Sequence, residues 1–278
     1  MQITSEHLQA FARRLREEER SPGTIEKYLR DGRAFAAWLG DGALSRECVC
    51  AWRDGLLERG YAPVTVNSMV SAVNRLLTDL GRADCRARFL RLQRRTFREP
   101  SRELSREEYR RLLSTARDGG RERLALLMET ICAAGIRVSE VRYITVEAAA
   151  RGRAAVRLKG KIRTILLPGK LCRKLLRYAR SRSLNSGEIF RTRSGSGLSR
   201  RQIWREMKSL CRLAEVASTK VFPHNLRHLF AVSFYRTCRD VVRLADVLGH
   251  CSIDTTRLYL LTTGAEHARQ LERLELVT

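Results

Sequence analysis

Lysine is scarce in this chain. Seven of its 54 basic residues are lysine, at 27, 159, 161, 170, 174, 208 and 220, and the rest are arginine. Acidic residues are also few, at 30, which leaves a formal net charge of +24 over 278 residues. A folded chain this basic repels itself, and a polyanion is the expected neutralising partner. Arginine grips phosphate oxygens with a two-pronged fork where lysine offers a point charge, although genome base composition also biases this ratio. No uninterrupted apolar run reaches the roughly 20 residues that span a bilayer, so no membrane partner is expected. The start, MQITSEHLQAFARRLREEE, is charged and helix-like, unlike a signal peptide. The eight cysteines, at 48, 50, 85, 132, 172, 211, 238 and 251, form neither CxxC nor zinc-finger spacing. Several lie in apolar stretches and read as small hydrophobes. Free thiols fit a reducing compartment, and the expected location is the cytoplasm. A P-loop and a repeat of fixed period are both missing.

What is present supports a folded protein. The apolar fraction is 44%, enough to bury a core in one large domain or two modest ones. In TIEKYLRDGRAFAAWL, Ile25, Tyr28, Leu29, Phe35, Trp38 and Leu39 recur at helical spacing behind a Ser21-Pro22 start. In PVTVNSMVSAVNRLLTDLG, Val66, Met69, Val70, Val73, Leu76 and Leu77 share a face, and Gly81 closes the segment. These stripes read as core, and the first hundred residues read as a helical bundle. Residues 86–103 are arginine-dense and read as the bundle's end plus a linker. Ser105 and Glu108 form a capping-box pattern that opens a second domain. There RERLALLMETICAAG is helical up to Gly135. AAVRLKG and RTILLP read as a hairpin around Lys159-Gly160-Lys161. YITVEAAARGR ahead of it reads as a weak strand. Helices resume near 169, RTRSGSGLS is a loop, and Ser199 with Gln202 repeats the capping-box pattern.

Four segments could carry chemistry: GIRVSE (135–140), LKGK (158–161), HNLRH (224–228) and LGHCSIDTTRLYL (248–260). His224 and His228 sit four apart, as zinc ligands on one helix face do, but Asn225 stands where a zincin places glutamate. No cysteine or acidic cluster offers a third ligand, so no metal is expected. A phosphate site is the other reading. His224 and Arg227 share a helix face, and Arg137 follows the break at Gly135. Two arginines and two histidines can surround a phosphodiester and neutralise charge building on its oxygens. Singly, each of these residues is more often structural. Tyr259 lies nine residues after His250, about 13 Å along a straight helix. The segment DVVRLADVLGH ends at Gly249, and Ser252 or Asp254 can cap a new short helix. A turn there can return Tyr259 to His250. A core tyrosine is the plainer alternative.

The ordered set G-I-R-V-S-E, a hairpin lysine, H-x-L-R-H, L-G-H and a tyrosine nine residues on resembles the tyrosine recombinase (phage integrase) family, in its compact two-domain, Xer-type form. The resemblance covers nearly the whole chain. It implies a mainly α fold: an N-terminal helical bundle of the core-binding, SAM-like kind over 1–98, and a mixed α catalytic domain with a small antiparallel β-sheet over 104–278. It implies a site-specific recombinase that cuts and rejoins double-stranded DNA through a 3′-phosphotyrosyl bond and a Holliday junction, for integration, excision, inversion or dimer resolution.

By that resemblance Tyr259 is the nucleophile. Arg137 and Arg227 hold the non-bridging oxygens, His224 assists proton transfer from the tyrosine, and His250 hydrogen-bonds the phosphate. The hairpin lysine protonates the departing 5′-oxygen. Lys159 is the expected acid because it ends the incoming strand; the hairpin is a residue shorter than the family's usual form, and Lys161 is the alternative. Glu140 supports the Arg137 turn, and His228 serves packing. Exchange of one phosphodiester for another conserves bond energy, so neither ATP nor metal nor any other cofactor is expected. The tail GAEHARQLERLEL, with Ala268, Leu271 and Leu274 on one face, is expected to pack on a neighbouring subunit in a homotetramer on two DNA sites. The two domains are expected to clamp the duplex. With nothing before residue 1, no arm-binding domain of the more elaborate phage integrases is expected. A type IB topoisomerase and a non-catalytic DNA-binding protein of the same fold are the rival readings. The first shares the chemistry but joins no partner, and the second would lack the full residue set.

Overall fold

The computed structural model describes residues 2–92, 100–158, 161–250, 252–260 and 272–273. It divides into two compact units, Met1–Arg94 and Arg95–Thr278.

The first unit is helical: α1 (Ser5–Glu17), α2 (Pro22–Leu39), α3 (Arg46–Glu58) and α4 (Pro63–Asp79). Ser21 caps α2 by accepting from the Thr24 amide, and Pro22 occupies the first turn, where its missing N–H costs nothing. Phe35, Val49, Trp52, Val66, Val70, Val73 and Leu77 make one apolar cluster, and Phe11, Leu15, Ile25 and Leu76 another. Each such burial contributes roughly 1.5–3 kcal/mol before entropy is counted. The α2 stripe departs from expectation at Trp38. Its ring lies at the rim, 44% exposed and stacked on Phe35, while Asp31 is buried. Asp31 tolerates burial because Lys27 and Arg30 both donate to it.

Two asparagines on α4 fasten the chain that leaves the bundle. Asn74 donates to the Ala87 carbonyl (2.8 Å) and accepts from the Ala87 amide (3.1 Å). Asn67, two turns earlier on the same face, does the same to Leu90 at 2.9 and 2.8 Å. A carboxamide matches a peptide group donor for acceptor, so residues 87–90 are held as a strand would be, without a strand.

The second unit contains α5 (Arg106–Asp118), α6 (Glu122–Ala134), a 3₁₀ turn over Val138–Tyr143, α7 (Val146–Arg151), β1 (Arg153–Leu158), β2 (Lys161–Leu166), α8 (Gly169–Ser181), α9 (Arg200–Lys208), α10 (Pro223–Cys238), α11 (Val241–Leu248) and α12 (Ile253–Arg257). The capping box at Ser105 and Glu108 forms in both directions. Helix α6 is apolar nearly all round. Leu127, Met128 and Ile131 have no exposed surface, so α6 forms the axis against which α5, α8 and α10 pack. β1 and β2 form a two-stranded antiparallel sheet with Val156 opposite Arg163 and Leu158 opposite Lys161.

Two local expectations fail. The stretch expected as a weak strand contains helix α7. Thr145 caps it by accepting from the Ala148 amide, and three alanines, the best helix formers, follow Glu147. The Ser199 box is half made. Ser199 accepts from the Gln202 amide, but the Gln202 side chain turns forward to Glu206 at 3.0 Å.

Candidate active site

The site assembles around helix ends. Helix α6 stops at Gly135 in the left-handed region (φ 60°), and a Cβ there would run into the Phe230 ring of α10. The chain then turns at Arg137. The buried Glu140 carboxylate accepts from the Arg137 amide (2.7 Å) and from its guanidinium (3.1 Å). A buried carboxylate needs such partners, and these lock the turn that presents the Arg137 side chain.

Helix α10 supplies the next group. Pro223 starts it; His224 lies exposed on the first turn, and Arg227 lies one turn on with 2% exposure. The Arg227 guanidinium bridges two helix C-termini. It donates to the Gly135 carbonyl at the end of α6 (2.5 Å) and to the Leu248 carbonyl at the end of α11 (2.8 Å). The last carbonyls of a helix lack intrahelical partners and carry partial negative charge, so they attract a cation. Arg137 exploits the same end by donating to the Gly249 carbonyl (3.2 Å).

Gly249 adopts φ 62° and ends α11. Ser252 then caps α12 by accepting from the Asp254 amide. This turn returns Tyr259 to the site. Its ring, 7% exposed, lies 5.4 Å from His224, 5.5 Å from His228 and 5.6 Å from His250, centroid to centroid. His250 is held at both nitrogens, by Arg227 on Nε2 (2.9 Å) and by the buried Thr256 hydroxyl on Nδ1 (2.8 Å). Among the described residues no group of three or more His, Cys, Asp or Glu side chains gathers as a metal site would need.

Positive charge is concentrated here. Burial, then Arg137, pulls Arg227 down to about 10, with a hydrogen bond to the Tyr259 side chain acting the other way; Arg227 stays charged at neutral pH. Burial, then Arg227, Arg137, Arg163 and His224, pushes His250 down to about 4, so it is neutral at pH 7.

The order of these residues along the chain also matches a known pattern. The family model described as "Phage integrase family" matches residues 102–265. The chain belongs to the phage integrase family. It is 29% identical to tyrosine recombinase XerA of Thermococcus kodakarensis, over 98% of this chain and 96% of the relative. It is 30% identical to XerA of Pyrococcus furiosus, over 99% and 96%. Among solved structures, XerH site-specific recombinase bound to difH substrate in a pre-cleavage complex aligns with TM-score 0.69 and 18% identity, over 96% of this chain and 84% of that one. A lambda integrase dimer bound to a core site aligns with TM-score 0.72 and 15% identity, over 91% and 76%. At those identities the structures speak for the fold. The chain is a tyrosine-type site-specific recombinase.

Of the residues singled out in this recombinase, Arg137, His224, Arg227, His250 and Tyr259 come together, and Lys159 lies outside the described residues. So does the expected tail segment apart from residues 272–273. One group was not foreseen. Arg163 of β2 is mostly buried and donates to Glu140 (2.9 Å) and to the Leu248 carbonyl. Its place two residues before the buried Ile165, on the same strand face, was the available signal. His228, expected as packing, is buried with its ring against Tyr259.

Proposed function

We propose that this recombinase cuts and rejoins duplex DNA with Tyr259 as nucleophile. The observation that carries the reading is the Tyr259 ring set against His224 and His250, with Arg227 bonded to His250. The Tyr259 oxygen attacks the scissile phosphorus, forming the O–P bond as the bond from phosphorus to the 5′-oxygen breaks. The tyrosine proton passes toward His224, and the hairpin lysine, Lys159 or else Lys161, delivers a proton to the departing 5′-oxygen. The DNA keeps a 3′-phosphotyrosyl link, and a second 5′-hydroxyl reverses the step.

Arg137 and Arg227 neutralise the non-bridging oxygens, where charge grows in the transition state. Both are bonded to backbone carbonyls, so they are oriented before substrate arrives. A phosphodiester oxygen between Arg227 and His250 displaces their mutual hydrogen bond, and its negative charge favours a proton on His250 Nε2, which then donates to it. The two units, over 1–98 and 104–278, serve as core-binding and catalytic domains. The working species is a homotetramer on two DNA sites in the cytoplasm, joined by the segment after Tyr259.

The test starts with a randomised duplex library. Covalent adducts are trapped, the DNA 3′ end joined to Tyr259 is mapped, and two copies of the selected site are assayed for strand exchange. Tyr259→Phe should bind the selected duplex and give no adduct. An adduct that survives this change assigns the nucleophile elsewhere, and DNA relaxation without strand exchange removes the recombination reading.

A further inference from the structure

Arg163 is tied to more of the site than its place in a strand requires. It faces Val156 across the hairpin, and it enters β2 two residues after Lys161. Its Nη2 donates to the Glu140 carboxylate at 2.9 Å, the same carboxylate that holds the Arg137 amide and guanidinium. Its Nη1 donates to the Leu248 carbonyl, which also accepts from Arg227. Its chain lies so close to Gly249 that a Cβ there would collide with it. Its Nε is buried without a partner among the described residues. A buried guanidinium is costly to desolvate and weakens when its partners are few. A strand that needed only to pair with its neighbour would place an apolar residue or an exposed polar one here.

We infer that Arg163 is a positioning residue for the general-acid step: a strap that ties the lysine-bearing hairpin to the Arg137 turn and to the end of α11. Glu140 is the shared post. One fork of Arg163 reaches the turn that aims Arg137, and the other reaches the carbonyls just ahead of His250. The strand that opens at Lys161 is thereby tied to the two groups proposed to hold the phosphate. The fork matters, because a lysine ammonium cannot span a carboxylate and a helix end at once. This inference rests on the reading that a hairpin lysine protonates the leaving 5′-oxygen.

The test replaces that oxygen. A duplex carrying the selected site, with sulfur at the bridging 5′ position, loses a thiolate that needs no proton when the phosphorus–sulfur bond breaks. Oxygen and sulfur duplexes are compared in single-turnover cleavage for wild type, Arg163→Gln, Arg163→Lys, Lys159→Ala and Lys161→Ala. Binding of each variant to the uncleaved duplex serves as the control for folding. Arg163→Gln should slow cleavage of the oxygen duplex about 100-fold, within the range for loss of a positioned acid, and leave the sulfur duplex within about threefold of wild type. Arg163→Lys should show the same pattern in weaker form. If sulfur rescues a lysine variant but not the Arg163 variants, the strap is overturned and the acid assignment stands. Full activity of Arg163→Lys on oxygen also overturns it, since charge alone would then suffice. If sulfur rescues neither lysine variant, the acid assignment falls and the inference falls with it.

Discussion

Arginine has no acceptor, so the hydrogen bond between Arg227 Nη2 and His250 Nε2 fixes the imidazole proton on Nδ1, where it is donated to Thr256. Protonating Nε2 in the free protein breaks that bond and sets a cation against Arg227. Burial is the larger cause, and with the nearby arginines it takes His250 to about 4 from its ordinary 6.5. The sign of the linkage follows. Between pH 6.5 and 4 the unfolded chain takes up a proton at this residue and the folded chain does not, so stability falls as the solution is acidified through that window. His250→Asn removes the effect. The excess melting temperature of wild type over His250→Asn should therefore shrink from pH 7 to pH 4, and the His250 ring should titrate near 4 by NMR. A ring titrating above 6 in the free protein would contradict the arrangement. Bound DNA reverses the field, so the same ring should titrate higher in the complex with Tyr259→Phe.

Elements differ in how openly the sequence declares them. Helices α2 and α4 of the bundle were legible in their apolar periodicity, and Ser21 there and Ser105 and Ser252 in the second unit cap as expected. The hairpin was legible in its two short β-prone segments around Lys159-Gly160-Lys161. Helix α7 was hidden because Tyr143-Ile144-Thr145-Val146 is β-prone, and the cap at Thr145 with the alanines after it prevailed. Trp38 fitted the stripe, but periodicity gives a direction and not a depth. The residues gathered at the candidate site were legible through the family resemblance that their order carries, whereas Arg163 was not, because its partners are 23 and 85 residues away.

The asparagines of α4 are a similar case. Asn67 and Asn74 are seven apart, hence on one face, but nothing local says that they read the backbone of residues 87–90. Each replaces two backbone hydrogen bonds that would otherwise go to water. Asn67→Ala or Asn74→Ala should destabilise the bundle by about 1–2 kcal/mol, measured by urea unfolding. Amide exchange should quicken at Leu90 in the first variant and at Ala87 in the second. Unchanged protection at both amides would show that other contacts hold this segment.

For the whole molecule, charge decides the terms of encounter with DNA. A net +24 on 278 residues draws in a polyanion from a distance, and that attraction is screened by salt. The buried arginines at the site behave differently. Arg227 is shielded from solvent and bonded to two carbonyls, so the hold on one phosphate proposed for it should depend little on ionic strength once the duplex is seated. Binding and cleavage should therefore separate. Affinity for a duplex, measured by fluorescence anisotropy, should fall on the order of 10³-fold or more between 50 and 200 mM salt if six or more phosphates are neutralised. The single-turnover rate of adduct formation at saturating protein should change several-fold at most over the same range. A cleavage rate that falls in parallel with affinity would mean that exposed charges, and not the helix-end cradle around Arg227, stabilise the reacting phosphate.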